Sequence, residues 1–341
     1  LFSMYPAKLP ILGELKPGTA QQHLIKLPGT ALKEDEPRPI VTVTGVKPGP
    51  VLFVNAGVHG GEYPAIEAVI RLGRILDPKK ISGTVILMPV LNLPAFRDRT
   101  MFVCPADHVN PNRVFPGDPD GSYSEQMVYA LVNEFIDHAD AYIDLHGGDI
   151  PEALVPFSIC RGGSEPVDVK SRELAIAFGL PYVLAVTRPV QPAKGSSSYA
   201  AAAERGIPAV LAEAGGVGQM QEEAVELLMN GVMRVMRHLE MCKQGARSSE
   251  LEDGKQAASP TEEPQVLTKF EWIFAKSAGL FYPGVAVGDA VQTGEEIGTV
   301  GSLFGDTIET VIAPVSGRVL FLTINPSVLE KGVLMGIGVA E

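Results

Sequence analysis

The sequence predicts an α/β domain built on a mixed, largely parallel sheet flanked by helices, followed by a small all-β module. Three observations carry that reading. Short β-branched runs alternate with segments of helical period from Pro39 to about Cys242, the pattern of strands and helices taking turns along one chain. A polar, serine-containing stretch, 244–264, then interrupts the pattern. Beyond it the helical segments stop, and short strands punctuated by glycine take over. Domains are therefore expected at 1–243 and 265–341, joined by a linker over 244–264.

In chain order, Ile40–Thr44 and Val51–Ala56 read as strands separated by the turn-rich 45–50 segment. Pro64 suits a first helical turn, and Ile66, Val69, Ile70, Gly73 and Leu76 follow at helical spacing before Asp77-Pro78 stops the segment. A strand at Thr84–Pro89, a long loop over 92–121, a helix at Ser124–His138 and a strand at Ala141–Leu145 come next. The alternation continues with helices near Val167–Phe178 and Ser198–Arg205, strands at Tyr182–Val186 and Ala209–Ala212, and a closing helix over Glu222–Cys242. In the C-terminal part, strands are expected at Phe270–Ala275, Leu280–Pro283, Ala290–Val291, Ile297–Val300, Thr307–Ile312, Val319–Leu322 and Val333–Ile337.

Composition narrows the function. With 28 Lys and Arg against 40 Asp and Glu, the 341-residue chain carries a net charge of −12. That balance argues against nucleic acid or an anionic membrane as the main partner. No apolar run is long enough to span a bilayer, and 1–10 lacks the pattern of a secretory signal. Cys104, Cys160 and Cys242 are scattered, which favours a reducing, cytoplasmic setting over a disulfide framework.

The chemistry concentrates where strands end. Val54-Asn55-Ala56-Gly57-Val58-His59-Gly60-Gly61-Glu62 lies between an apolar strand and a helix, and the His-x-x-Glu pair supplies two ligands of one type of catalytic zinc site. The two glycines are expected to let imidazole and carboxylate approach one ion. Ile143-Asp144-Leu145-His146-Gly147-Gly148 places a third ligand, His146, at another strand end, with Asp144 a candidate partner behind it. Ala209-Val210-Leu211-Ala212-Glu213 ends a third strand on a carboxylate suited to accept a proton from water. The long loop holds Arg97-Asp98-Arg99 and Asn112-Arg113, whose guanidinium forks suit a substrate carboxylate or a developing oxyanion. Ser196-Ser197-Ser198 lacks a Gly-x-Ser-x-Gly elbow and reads as a helix cap.

Together these motifs resemble the succinylglutamate desuccinylase and aspartoacylase family, a branch of the zinc carboxypeptidase-like hydrolases. The resemblance runs from about Val51 through Glu213 and again from about Ala278 to Gly338. It implies one Zn2+ per chain held by His59, Glu62 and His146, with Glu213 as general base. It also implies that Asn112 and Arg113 grip a substrate carboxylate, and that Arg99 polarises the scissile carbonyl, with Arg97 competing for that role. The implied activity is hydrolysis of the amide bond of a small N-acyl amino acid or related amine, in a homo-oligomer. The family's other acyl-carboxylate contacts match no motif in this chain, which counts against a dicarboxylic substrate.

The C-terminal segments Val287-Gly288-Asp289-Ala290-Val291, Gly294-Glu295-Glu296-Ile297-Gly298 and Ala313-Pro314-Val315-Ser316-Gly317 resemble a biotinyl or lipoyl hammerhead. Asp306 stands where the carrier lysine would be, so the module is expected to cover the active site or to contact another subunit. Two rivals remain. A metallocarboxypeptidase needs the same ligands with an open groove, and a noncatalytic binding or carrier protein would explain only the tail.

Overall fold

The structure is a computed structural model and describes residues 11–27, 37–187, 195–243 and 263–340. The expectation about 1–10 and nearly all of the proposed linker therefore fall outside the described residues. The N-terminal part contains β1 (Thr19–Ile25), β2 (Arg38–Thr44), β3 (Lys47–Ala56), α1 (Tyr63–Ile75), β4 (Ser82–Met88) and the short α2 (Leu93–Asp98). Next come α3 (Tyr123–Glu134), β5 (Ala141–His146), β6 (Glu152–Leu154), β7 (Phe157–Arg161) and α4 (Pro166–Phe178). Then follow β8 (Tyr182–Val186), α5 (Ser198–Glu204), β9 (Ala209–Glu213) and α6 (Glu222–His238). The C-terminal part holds β10 (Gln265–Leu267), β11 (Lys269–Phe274), β12 (Gly279–Pro283), β13 (Ala290–Val291) and β14 (Glu296–Gly301). It closes with β15 (Thr307–Ile312), β16 (Gly317–Thr323), β17 (Ser327–Val328) and β18 (Val333–Val339).

Nine strands form the large sheet in the order β1-β2-β4-β3-β5-β9-β7-β8-β10. Its centre, β4-β3-β5-β9, is parallel, and antiparallel pairs enter at β2–β4 and β7–β9. The fold expected from the sequence is the fold found. β3 and β5 are buried on both faces, which explains their unbroken apolar runs. One face packs α1, α4 and α6 around Leu72, Phe178 and Val232, and the other packs α3 and α5 around Phe53, Phe135 and Tyr142.

Local chemistry sets the helix ends. Ser122 and Glu125 form a reciprocal capping box at the start of α3. The sequence extends this helix to His138, but it ends at Glu134 and only a 3₁₀ turn follows over Ile136–His138. The last helix likewise stops at His238 and not at Cys242. Glu240 takes a left-handed φ of 58°, and the chain turns so that the Met241 carbonyl accepts from Ser82 N at 2.7 Å.

The two parts of the chain exchange strands across the expected boundary. β10 extends the large sheet beside β8, while β6 joins the C-terminal sheet by pairing Glu152, Ala153 and Leu154 with Thr323, Leu322 and Phe321 of β16. Leu267 and Leu320 enter the core on the β5–β9 side, so the C-terminal sheet is seated on the α/β unit. The remaining C-terminal strands enclose a separate apolar core around Ile297, Val300, Leu334 and Met335.

Candidate active site

β3, β5 and β9 are neighbours in register, and each delivers a functional residue at its carboxyl end. Asn55 pairs with Asp144, and His146 pairs with Glu213. Parallel strands gather ligands at this edge because their loops all leave on the same side. After β3 the chain turns at Gly57, whose φ is +64° and where a Cβ would lie 2.9 Å from Val90 Cα. Only glycine fits both constraints. His59 follows, and Glu62 occupies the N-cap of α1, where the helix dipole favours a carboxylate.

His59, Glu62 and His146 are buried, and their ligand atoms lie within 4.8 Å of one another. Glu62 Oε1 is 2.7 Å from His59 Nδ1, and Oε2 is 2.8 Å from His146 Nδ1. The outer nitrogens have acceptors nearby: His59 Nε2 hydrogen-bonds Asn110 Oδ1 at 3.1 Å, and His146 Nε2 lies 3.0 Å from Asp144 Oδ2, an ion-pair contact without hydrogen-bond geometry. With a proton on each outer nitrogen, both Nδ1 lone pairs point at a carboxylate that can only accept. Glu62 Oε2 has no hydrogen bond of acceptable geometry. Three converging acceptors call for a cation among them, so this trio fits a divalent metal.

The electrostatics agree. Burial works against an imidazolium at His146, yet the charges of Asp144 and Glu62 outweigh it and raise its pKa well above the usual value. At His59 burial is likewise outweighed by Glu62. Burial would raise the Glu62 carboxyl, but His146 and His59 hold it well below the usual range. The trio demands positive charge.

Glu213 stands beside it at the end of β9, with Oε2 buried and lacking a hydrogen bond. Burial pushes its pKa well up, His146 opposes the shift, and Glu62 and Glu152 add to it. Such a carboxyl holds a proton readily and passes it on, as a general base and acid must.

The loop before α3 is tied into the site. Asn110 Oδ1 accepts from Asn112 N at 2.9 Å, and Asn112 Oδ1 accepts from Ser198 N at 2.9 Å, leaving the Asn112 amide hydrogens as the end that can serve the cavity. Arg113 Nη1 donates to Asn112 O at 2.8 Å, and burial lowers the Arg113 pKa. Ser198 Oγ donates to Asp144 Oδ2, so the serine braces the carboxylate behind His146. The serine run does supply the N-cap of α5, Ser197, although that residue makes no side-chain cap bond.

A cavity of about 520 Å³ brings together His59, Glu62, Asn110, Asn112, Arg113 and Glu213. Its far wall comes from the C-terminal part, including Trp272, Phe321 and Val333. Arg99 is not among its lining residues. It is exposed at the C-cap of α2 with a φ of 55°, two residues before the lining residue Met101, and Arg97 is exposed as well.

The glycines have a different purpose from the one expected. A Cβ at Gly60 would meet the Ala95–Phe96 backbone at 2.2 Å, one at Gly61 would meet Asp149 Oδ1 at 2.3 Å, and one at Gly147 would meet Ala214 O at 2.5 Å. They admit neighbouring loops and do not clear a path to the ion. Glu152 carries no signal in the sequence, and although Asn110 stands beside Asn112-Arg113 and Ser198 in the serine run, their contacts with His59 and Asp144 join distant segments that no local motif links.

Residues 48–239 match the model of the succinylglutamate desuccinylase/aspartoacylase catalytic domain. The chain belongs to that family. A relative from Halomonas elongata, N-alpha-acetyl-L-2,4-diaminobutyric acid deacetylase, is 29% identical over 284 residues, covering 82% of this chain and 77% of that protein. Among solved structures, a succinylglutamate desuccinylase/aspartoacylase from Rhodobacter sphaeroides shares 24% identity at a TM-score of 0.80. The product-bound ectoine utilization protein EutE (DoeB) from Ruegeria pomeroyi shares 22% at 0.81. Each alignment covers 94% of this chain and 95% of the other, and at these identities the likeness establishes the fold. The family match takes in His59, Glu62, Asn112, Arg113, His146 and Glu213.

Proposed function

We propose that the protein is a zinc-dependent deacylase that hydrolyses the amide bond of a small N-acyl amino acid. The observation that carries this reading is the convergence of three buried metal-type ligands and one unpartnered buried carboxyl in a single cavity. His59, Glu62 and His146 would hold one Zn2+, which when bound supplies a Lewis acid and lowers the pKa of water. Glu213 accepts the proton of the attacking water and returns it to the departing nitrogen. Arg113 and the Asn112 amide bind the substrate carboxylate, and the buried guanidinium makes that pairing stronger than it would be in water. Carbonyl polarisation is assigned to Arg99, whose exposed side chain would have to swing inward over the rim at Met101.

The C-terminal strands supply a cavity wall, which supports their role as a cover and favours small substrates over the open groove of a carboxypeptidase. Asp306 at the hairpin between β14 and β15 speaks against a carrier role. The name of the Halomonas relative supports N-acyl amino acids as the substrate class. The three cysteines are unpaired, which supports a reducing, cytoplasmic setting.

Elemental analysis with a screen of N-acyl amino acids and short peptides tests the proposal. Bound zinc and turnover of the former are expected, and peptide cleavage alone would refute it. Arg113→Ala is expected to raise KM for carboxylate-bearing substrates by roughly 10²-fold, as for loss of a charge-assisted bidentate contact. Arg99→Ala should lower kcat by about 10²-fold with little change in KM, the signature of a lost oxyanion donor. Arg97→Ala should leave both parameters unchanged, and the reverse pattern would move the role to Arg97.

A further inference from the structure

We infer that Glu152 is a specificity-determining residue that selects substrates carrying a cationic group, such as a side-chain ammonium, on their amine half. This deepens the deacylase reading and rests on it. Glu152 opens β6, the strand that leaves the α/β unit to pair with β16. Its carbonyl accepts from Val217 N at 2.9 Å, and its amide donates to Asp149 O at 2.9 Å. Gly148 and Gly216 press against it so closely that a Cβ at either would lie 2.4 or 2.3 Å from Glu152 O. The loops after His146 and after Glu213 thus close on one residue, and they fix its position relative to both.

The side chain lines the cavity and, among the described residues, is without a cationic partner. Among the described residues, no side chain makes an ion pair or hydrogen bond with the Glu152 carboxylate, and the Asp149 backbone N–H is its support. Arg113 feels its charge together with those of Tyr199 and Glu213. The other charged groups on the cavity wall each have a task. His59 and Glu62 belong to the metal trio, Glu213 handles the proton, and Arg113 faces the substrate carboxylate. Asp149, close by, is already held by the backbone amides of Phe102 and Ile150 at 2.7 and 2.6 Å.

A half-buried carboxylate set among other acids, with no counter-charge among the described residues, is unfavourable, and Glu152 shows the cost: burial first, then Glu62 and Asp149, push it up to about 7. A substrate bringing only its own carboxylate would add to that repulsion. One that also carries an ammonium removes it and gains a charge-assisted hydrogen bond. A site that desolvates a charge for one partner discriminates strongly against the analogue that lacks that partner.

The test compares N-acetyl-L-2,4-diaminobutyrate with N-acetyl-L-norvaline, whose side chains differ by a terminal ammonium against a methyl. The zinc-loaded wild type is expected to prefer the first by at least roughly tenfold in kcat/KM, expressed mainly in KM. Glu152→Gln should reduce that preference to within about threefold, and Glu152→Asp should retain part of it. A preference that survives Glu152→Gln overturns the inference. So does an equal fall in kcat for both compounds, which would make Glu152 a proton carrier. Calorimetric titration of the same two compounds reads the preference from binding alone. Selective binding without hydrolysis would refute the deacylase reading and leave this one standing, whereas equal binding, or none, would refute this one.

Discussion

Glu213→Gln is expected to lower kcat by roughly 10²- to 10⁴-fold, the usual contribution of a positioned general base, with metal content and KM nearly unchanged. The amide matches the carboxyl in size, and Oε2 has no hydrogen bond to lose, so the fold has little reason to respond. The variant cannot accept the proton of water or deliver one to the leaving nitrogen. Glu213 is half-buried, with Oε2 out of contact with water, so an external base has poor access to its place. Steady-state kinetics beside elemental analysis checks this. Full activity with normal zinc would remove Glu213 from the mechanism, whereas loss of zinc together with activity would make it a structural support of the trio.

The centre of the site was legible because each of its parts is local. His59 with Glu62, His146 and Glu213 each follow an apolar strand directly, and in a parallel sheet consecutive strand ends share one edge. What the sequence hides is contact between segments far apart in the chain. β6 has three half-buried residues and no periodicity of its own, and it is a strand only because Phe321–Thr323 lie alongside. The run Ser196–Ser198 reads as a helix cap and does place Ser197 at the N-cap, yet the Ser198 hydroxyl goes to Asp144, 54 residues away in sequence. The glycine pairs lie beside the candidate site, but neighbouring backbone and side chains fill the space they leave, as Ala95–Phe96 does at Gly60 and Asp149 at Gly61. Arg99 shows the limit of a motif: it identifies a loop and a residue type but not whether the side chain faces the cavity.

Removing the metal is expected to abolish hydrolysis and to lower Tm by an amount that grows between about pH 6 and pH 8. In the stripped protein, burial disfavours both imidazoliums, but Asp144 and Glu62 at His146, and Glu62 at His59, raise the pKa values above those of the unfolded chain. Groups raised in this way stabilise the fold fully below the unfolded imidazole value of about 6.5, and that stabilisation is lost as pH climbs through the folded values. Glu62 is shifted the other way, so its contribution is present above the unfolded carboxyl value of about 4.3 and is lost only on acidification. As pH climbs above the unfolded imidazole value the stripped fold therefore loses the stabilisation that its charged imidazoles supply. A bound divalent cation supplies that charge at every pH in the window, and its binding is itself favoured as the competing protons leave. Scanning calorimetry of chelated and zinc-reloaded protein at both ends of the window measures the gap. A gap that stays constant or narrows would mean that His59 and His146 do not share the ion. His146→Ala should make the chelated and reloaded forms melt alike, because Glu62 and His59 alone leave the cation short of one of the three protein ligands that a catalytic zinc requires.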